Sequence, residues 1–116
     1  MSSETATVDT PSAHADLTHP ATADLELAAV LAALAEPARL ALLRTIEREG
    51  ELACVVAADL SGMAGTKSTR SHHFKVLREA GIVHMRYAGS RKLVTIRRAD
   101  LNTRWPGLLD AVLIEE

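Results

Sequence analysis

Polar side chains that could contact nucleic acid are concentrated between Thr66 and Gly81. Their spacing predicts a helix of about three to four turns, with Thr66 or Ser68 as the N-cap and Gly81 as the stop signal. Such a helix advances 100° per residue and gathers hydroxyl, imidazole and charged groups on one side: Ser68, Ser71, His72, Lys75 and Glu79, with Arg78 at its margin. Hydroxyl, imidazole and cationic groups can hydrogen-bond to phosphates and to base edges in the major groove of DNA.

The opposite side of the same helix is predicted to face the core, and it carries Phe74, Leu77, Ala80, Val76 and His73. We therefore expect His73 to be a structural histidine, although its neighbour His72 faces outward. Taken alone, the polar side could equally be an ordinary solvated surface. The charge distribution of the chain favours DNA.

The net charge of −2 hides a strong asymmetry along the chain. Residues 1–60 carry a formal charge of −7, whereas residues 61–116 carry +5. The window 67–98 carries +8, with Glu79 as its one acidic residue. A basic patch of this kind is the electrostatic footprint of a nucleic-acid-binding protein.

Two amphipathic helices are predicted upstream of this patch. Apolar residues at i, i+3, i+4 and i+7 indicate a helix from Asp24 to Ala35. Pro37 begins a second helix, which runs to Glu49 and ends at Gly50. Arg39 projects near the inward side of this helix, where we expect an ion pair or a carbonyl-capping role rather than a DNA contact.

A helix-turn-helix is predicted next. The pattern indicates a short third helix, Glu51 to Leu60, followed by a glycine-bearing turn over residues 61–65. Helix, turn and basic polar helix is the order of a helix-turn-helix unit. Two β-prone segments, residues 82–87 and 92–97, then form a hairpin whose cationic tip is typical of the wing of a winged helix.

The carboxyl-terminal part supplies one helical turn, Asp100 to Arg104, and a last helix from Gly107 to about Ile114. The first and last helices carry more apolar side chains than one small core can cover, so we expect a two-fold dimer. The predicted dimer interface consists of Leu27, Val30, Leu31, Leu34, Leu108, Leu109, Val112 and Leu113.

The composition restricts the remaining possibilities. A chain of 116 residues forms one domain, and no apolar run approaches the ~20 residues of a membrane span. No secretory signal is recognisable, and one cysteine excludes an intrachain disulfide, so we expect a cytoplasmic protein without a membrane partner. Cys54 is most simply a small core residue, with a redox sensor as the alternative. No residue pattern indicates an enzyme.

Residues 1–22 are rich in Ser, Thr, Ala, Pro and His and show no period, which predicts a disordered tail before a domain over residues 23–116. His14, Asp16 and His19 lie close together in this tail and are weak candidates for metal ligands. A flexible segment must lose conformational entropy to hold a metal, so we predict no metal site there.

With these residues in place, the chain resembles the ArsR/SmtB family of winged helix-turn-helix transcriptional regulators from about Leu25 to Leu113. The resemblance rests on Glu36-Pro37-Ala38-Arg39-Leu40, on the run from Ser71 to Val83, and on Gly89-Ser90-Arg91. It implies a mainly α fold with a small β-hairpin, in the order α-α-α-α-β-β-α. It also implies a bacterial cytoplasmic homodimer, usually a repressor and in a few members an activator.

The chain departs from the family pattern where metal-sensing members bind metal. Glu51-Leu52-Ala53-Cys54-Val55-Val56 stands where those members carry Glu-Leu-Cys-x-Cys-Asp, and no histidine follows His84. A lone thiolate cannot form a soft metal site. We therefore expect no required cofactor. A metal effector acting at a non-standard site stays open as an alternative. Arg70 stands where the family commonly has a small or apolar residue. This departure predicts either that Arg70 extends outward to a phosphate or that the helix is rotated from the projection given above.

The sequence thus predicts a homodimeric, sequence-specific regulator that binds double-stranded DNA at a two-fold symmetric operator. A winged-helix module that works through a partner protein is the alternative, and a small effector is compatible with either. The predicted DNA-binding residues are Ser68, Thr69, Arg70, Ser71, His72, Lys75, Arg78, Arg86, Ser90, Arg91 and Lys92.

Overall fold

A computed structural model describes residues 16–114 of the chain. Within that range, six α-helices surround a small antiparallel sheet. The helices are α1 (Leu27–Leu34), α2 (Pro37–Glu49), α3 (Cys54–Leu60), α4 (Lys67–Glu79), α5 (Arg98–Arg104) and α6 (Leu108–Leu113). The strands are β1 (Leu52–Ala53), β2 (Val83–Ala88) and β3 (Arg91–Ile96).

Strand β3 lies at the centre of the sheet, with β1 and β2 on either side. Val94 of β3 is opposite Leu52 on one flank and Met85 on the other. Gly89 and Ser90 form the two-residue turn between β2 and β3, and Gly89 has a φ of 66°. A positive φ at the first turn position suits the right-handed twist of a hairpin. This hairpin is the predicted wing.

The core lies where α2 and α4 pack against the sheet and α1 packs against these two helices. Leu42 and Leu43 of α2, Leu77 of α4 and Ile82 before β2 are fully buried. Four helices, a hairpin and two further helices confirm the predicted winged helix-turn-helix fold. The bounds of α2 also match the prediction, because Pro37 occupies its first turn and Gly50, at a φ of 83°, ends it.

The third helix is shorter than predicted. It begins at Cys54 instead of Glu51, because Leu52 and Ala53 pair with β3 as strand β1. The helical pattern of residues 51–60 hides this strand, since two residues are too few to show an alternation of their own.

The boundaries of two other helices also differ from the prediction. Helix α1 begins at Leu27 and not at Asp24, because Leu25 is extended and turns its buried side chain into the core. A separate 3₁₀ turn covers Thr22–Asp24. Helix α5 begins two residues earlier than expected, where the Leu101 amide donates to the Arg97 carbonyl.

The predicted disordered tail is wrong for residues 16–22, which we call the N-terminal segment. Leu17 donates its amide to the Met85 carbonyl at 3.1 Å, so the segment lies along the free edge of β2. Three arginines hold its carbonyl groups: Arg78 donates to Thr18 at 2.7 Å, Arg97 to Pro20 at 2.8 Å and Arg104 to Thr22 at 2.8 Å. Residues 1–15 lie outside the described range.

Candidate nucleic-acid interface

Helix α4 is the second helix of the helix-turn-helix, and both of its ends are fixed. The Thr66 hydroxyl accepts a hydrogen bond from the Thr69 amide at 3.1 Å, which caps the amino terminus. Past the carboxyl terminus, Gly81 has a φ of 85°, and a Cβ added there would lie 2.1 Å from the Leu25 side chain. A side chain at position 81 would therefore be excluded by both backbone strain and contact.

The two sides of α4 divide as the spacing predicts. Phe74 and Leu77 are buried, and Val76 and His73 are half-buried. The outward side exposes Ser68, Ser71, His72, Lys75 and Glu79. Thr69 is exposed as well, but its amide and hydroxyl both contact Thr66 at the cap. Four exposed donors therefore lie along one side of a helix anchored by an aromatic ring and a leucine.

The wing places cations beside α4. Ser90 and Arg91 are exposed at the tip of the hairpin. The Lys92 ammonium lies 5.8 Å from the centre of the Tyr87 ring, which steadies it by a cation–π contact. Together with Lys75, these residues form a positive surface around the turn between β2 and β3.

Three arginines predicted to contact DNA have partners inside the protein instead. Arg70 donates to the Asp59 carboxylate at 2.8 Å and to the Met63 carbonyl at 2.7 Å, which ties α4 to α3 and to the turn after it. Arg78 holds the N-terminal segment. Arg86 forms a two-pronged pair with Glu51, and both bonds measure 3.1 Å.

These contacts give the three arginines structural roles. The expectation that Arg70 extends to a phosphate is wrong in this structure, because Asp59 and the end of α3 lie within its reach. The hydrogen bonds that Arg86 donates to Glu51 raise the pKa of Arg86, so its charge is paired within the chain. Sequence spacing could not show either carboxylate partner, since each lies on a different element.

Arg39 joins the end of α1 to helix α4. Its Nε donates to the Ala33 carbonyl at 2.6 Å, which confirms the predicted carbonyl-capping role. Its Nη1 lies 3.1 Å from Nδ1 of His73 and donates a hydrogen bond to that ring nitrogen. Burial, and next the Arg39 charge, lower the pKa of His73, so the neutral ring is favoured. His73 is therefore the structural histidine of the pair.

Comparisons with known proteins agree with this geometry. A family model of a helix-turn-helix domain matches residues 34–86. The chain is 36% identical over 86 residues to the uncharacterized HTH-type transcriptional regulator YceK of Bacillus subtilis (strain 168), and the match covers 73% of this chain and 84% of that protein. This chain belongs to the HTH-type transcriptional regulators.

A solved structure extends the likeness to the whole fold. It is the crystal structure of a possible transcriptional regulatory protein (fragment 1–100) from Mycobacterium bovis, with a TM-score of 0.60 and 31% identity. The match covers 77% of this chain and 91% of that one. The HTH-type regulator described here is thus a DNA-binding transcription regulator, and α4 occupies the position of the second helix of its helix-turn-helix. No helix within residues 16–114 has the length and apolar character needed to cross a membrane.

The sequence prediction omitted one exposed cation of this regulator. Lys67 is the first residue of α4 and lies beside the groove between α4 and the wing. The predicted polar side of the helix begins at Ser68, so Lys67 contributes to the prediction only through the charge of the basic window. Its place at the amino-terminal end of α4 is the signal that could have found it.

The weak metal candidates of the regulator are engaged in other contacts. His19 Nε2 accepts a hydrogen bond from the Met85 amide at 2.9 Å, and its ring stacks on His84 with centroids 4.5 Å apart. Asp16 lies 3.2 Å from Nε2 of His84, while His14 falls outside the described residues. Within residues 16–114 no cluster of three or more His, Cys, Asp or Glu side chains could hold a metal ion.

Cys54, predicted as a small core residue, is buried. Burial raises the pKa of the Cys54 thiol to about 11.

The predicted dimer residues separate into two groups. Val30, Leu34 and Leu109 are buried in the regulator's own core, which corrects the expectation that they face a partner. Leu27 and Leu31 on α1 remain 42% and 45% exposed, and Leu108, Val112 and Leu113 on α6 are half-buried. Ile114, just past α6, is 66% exposed.

Proposed function

We propose that this regulator is a sequence-specific repressor of the ArsR/SmtB type that binds a two-fold symmetric operator as a homodimer. The exposed side of α4 carries the proposal, because Ser68, Ser71, His72 and Lys75 are all available to DNA. The ArsR/SmtB assignment and the repressor role are supported by the resemblance of the run from Ser71 to Val83. A regulator that occupies the major groove of the operator prevents other proteins from binding there, and this would repress transcription.

Binding to the DNA upstream of the protein's own gene tests this function. We expect Ser71→Ala and His72→Ala each to weaken binding to the operator by about 1–3 kcal/mol, because each removes a contact to a base edge. Binding to random DNA should stay within a factor of about two, since phosphate contacts remain. Fluorescence anisotropy with both DNAs measures the ratio.

His73→Ala is the matched control on the same helix. It removes the contact with Arg39 and some packing, so the melting temperature should fall while the ratio of specific to random binding persists. Equal weakening on both DNAs in the His72→Ala protein would contradict a base-reading role for α4.

The exposed leucines of α1 support the homodimer. At about 25 cal/mol per Å² of apolar surface, leaving Leu27, Leu31 and Ile114 in water forgoes a few kcal/mol that a second copy could recover. A two-fold pair also sets two recognition helices about 34 Å apart, at successive major grooves. Once the first recognition helix is bound, the second binds its half-site as part of the same molecule, and this raises the affinity of the dimer for the operator.

A double change, Leu27→Glu with Leu31→Glu, should give a folded monomer that no longer holds the operator. Light scattering after size exclusion reports the mass, and circular dichroism reports the fold. Leu60→Glu is the control, because Leu60 is 55% exposed but lies on α3. Leu109 is unsuitable for this test, since a charge at a 2% exposed position would unfold the chain. A wild-type monomer at micromolar concentration would refute the dimer.

A further inference from the structure

A groove of about 870 Å³ opens between α3, α4 and the wing. This volume lies within the 300–1,000 Å³ range of small-molecule sites in proteins. The amino-terminal part of α4 and the tip of the wing form its two sides, and the first turn of α3 contributes to its floor. Leu17 of the N-terminal segment also reaches it.

The groove is positive along its sides. Its lining contains six Lys and Arg side chains and no Asp or Glu. Arg70 and Arg78 have protein partners, whereas Lys67, Lys75 and Arg91 form no ion pair or hydrogen bond within the described residues. Unpaired cations around a concave surface raise the local concentration of anions.

The floor of the same groove is apolar. Val55 and Val56, in the first turn of α3, are 70% and 42% exposed, and Phe74 and Met85 lie deeper. Val55 has the largest exposed fraction among the large apolar side chains of the described residues. A DNA phosphate can pair with the cations, but it gains nothing from valine side chains. DNA alone therefore does not account for the composition of the groove.

We propose that this groove binds a small amphiphilic carboxylate, with the carboxylate on Lys75 and Arg91 and a hydrocarbon tail on Val55, Val56 and Phe74. The proposal rests on the proposed function, because the same two cations flank the path of the DNA. A bound carboxylate would neutralise them and fill the space between recognition helix and wing. The ligand would therefore release the operator by direct competition.

Decanoate, below its micelle concentration, is the probe, and titration calorimetry of the full chain without DNA is the first measurement. We expect saturable binding of one decanoate per chain at pH 7.5. Acetate, which lacks the tail, and decyltrimethylammonium, which reverses the charge, should each bind at least tenfold more weakly. Equal binding of the cationic amphiphile would overturn the proposal, because it would show simple partition of the tail.

Two variants locate the ligand. Val55→Glu puts a carboxylate on the apolar floor and should weaken decanoate binding at least tenfold. Leu60→Glu makes the same change on the same helix outside the groove and should leave binding unchanged. If Val55→Glu does not fold by circular dichroism, Lys75→Gln serves instead, because Lys75 is exposed and its replacement removes one of the two proposed carboxylate partners.

Anisotropy with the operator then separates this proposal from the proposed function. Displacement of DNA at the decanoate concentrations that saturate the calorimetric site supports the competition. Operator binding without any decanoate binding would overturn the ligand site and leave the DNA function intact. Decanoate binding that never displaces bound operator would overturn the competition. Decanoate binding by a chain that ignores the operator would uphold the site and refute the DNA function.

Discussion

The cations between residues 67 and 98 form two groups that differ in what surrounds them. Arg70, Arg78 and Arg97 donate to carboxylates or carbonyl groups of this chain, and they hold α3, α4 and the N-terminal segment together. Lys75 and Arg91 border the groove as Arg70 and Arg78 do, but they form no ion pair within residues 16–114. A basic window of +8 therefore overstates the charge available to DNA, because Arg70, Arg86 and Arg98 pair with Asp59, Glu51 and Glu47 of the chain's own acidic half.

The different chemistry of arginine and lysine side chains explains part of this division between paired and unpaired cations. A guanidinium offers five donors in a fixed plane, which suits backbone carbonyls and carboxylates at once. A lysine ammonium is strongly hydrated, so it tends to stay exposed to solvent. Arg91 is the exception: it is an arginine that lies exposed at the hairpin tip and forms no ion pair within residues 16–114.

Arg97→Ala should have the largest effect on stability. The Arg97 side chain is 9% exposed and donates to both the Asp100 carboxylate and the Pro20 carbonyl. Its loss leaves both acceptors without that donor, so the free energy of unfolding should fall by about 2–4 kcal/mol. Urea denaturation measures this. A loss under about 0.5 kcal/mol would place Arg97 in the solvent-facing group.

Removal of two wing charges should affect DNA binding more than stability. In the Arg91→Ala/Lys92→Ala protein, the slope of log affinity against log salt should flatten by about two units. Arg70→Ala is the matched change in the paired group, and its slope should move by less than about half a unit while stability falls. If the slopes of the two proteins change equally, the division between the groups is wrong.

The smallest effect expected is a pH dependence at the N-terminal segment. Burial, and next the charge of His84, lower the pKa of His19. The segment is therefore most stable above the ordinary histidine pKa of about 6.5 and loses stability as the pH falls below it. A protonated His19 cannot accept the Met85 amide proton. Arg78 and Arg97 add repulsion, and Asp16 opposes it.

Thermal unfolding between pH 7.5 and 5.5 checks this. His19→Gln keeps an acceptor for the Met85 amide but does not titrate, so its melting temperature should depend less on pH than that of the wild type. An identical pH dependence would assign the effect to another group, and His73, whose pKa is also lowered, would be the next to change.

The elements predicted correctly are those whose signals lie within the element itself or in the residues directly beside it. Helix α2 has Pro37 at its start and Gly50 at its end, and the polar side of α4 follows from one helical period. Strand β1 was missed because Leu52 and Ala53 are extended only by pairing with β3, about forty residues later. No local pattern reports that pairing.

For the candidate interface, the sequence predicts which polar residues of α4 are exposed better than it predicts which arginines are available to DNA. Ser71, His72 and Lys75 are exposed as expected, whereas Arg70, Arg78 and Arg86 have internal partners. Those partners are Asp59, the Thr18 carbonyl and Glu51, which only the tertiary fold brings near. Charge counting cannot separate a free cation from a paired one.

The hydrogen bonds that hold the N-terminal segment also determine when this segment can reach its final position during synthesis of the chain. Thr18, Pro20 and Thr22 leave the ribosome early, but the arginines that bind their carbonyls follow 60, 77 and 82 residues later. The Thr22 hydroxyl likewise waits for Asp100, 78 residues downstream. Because such distant partners must both be present before their contacts form, we expect the N-terminal segment to be among the last parts of the described range to reach its final contacts.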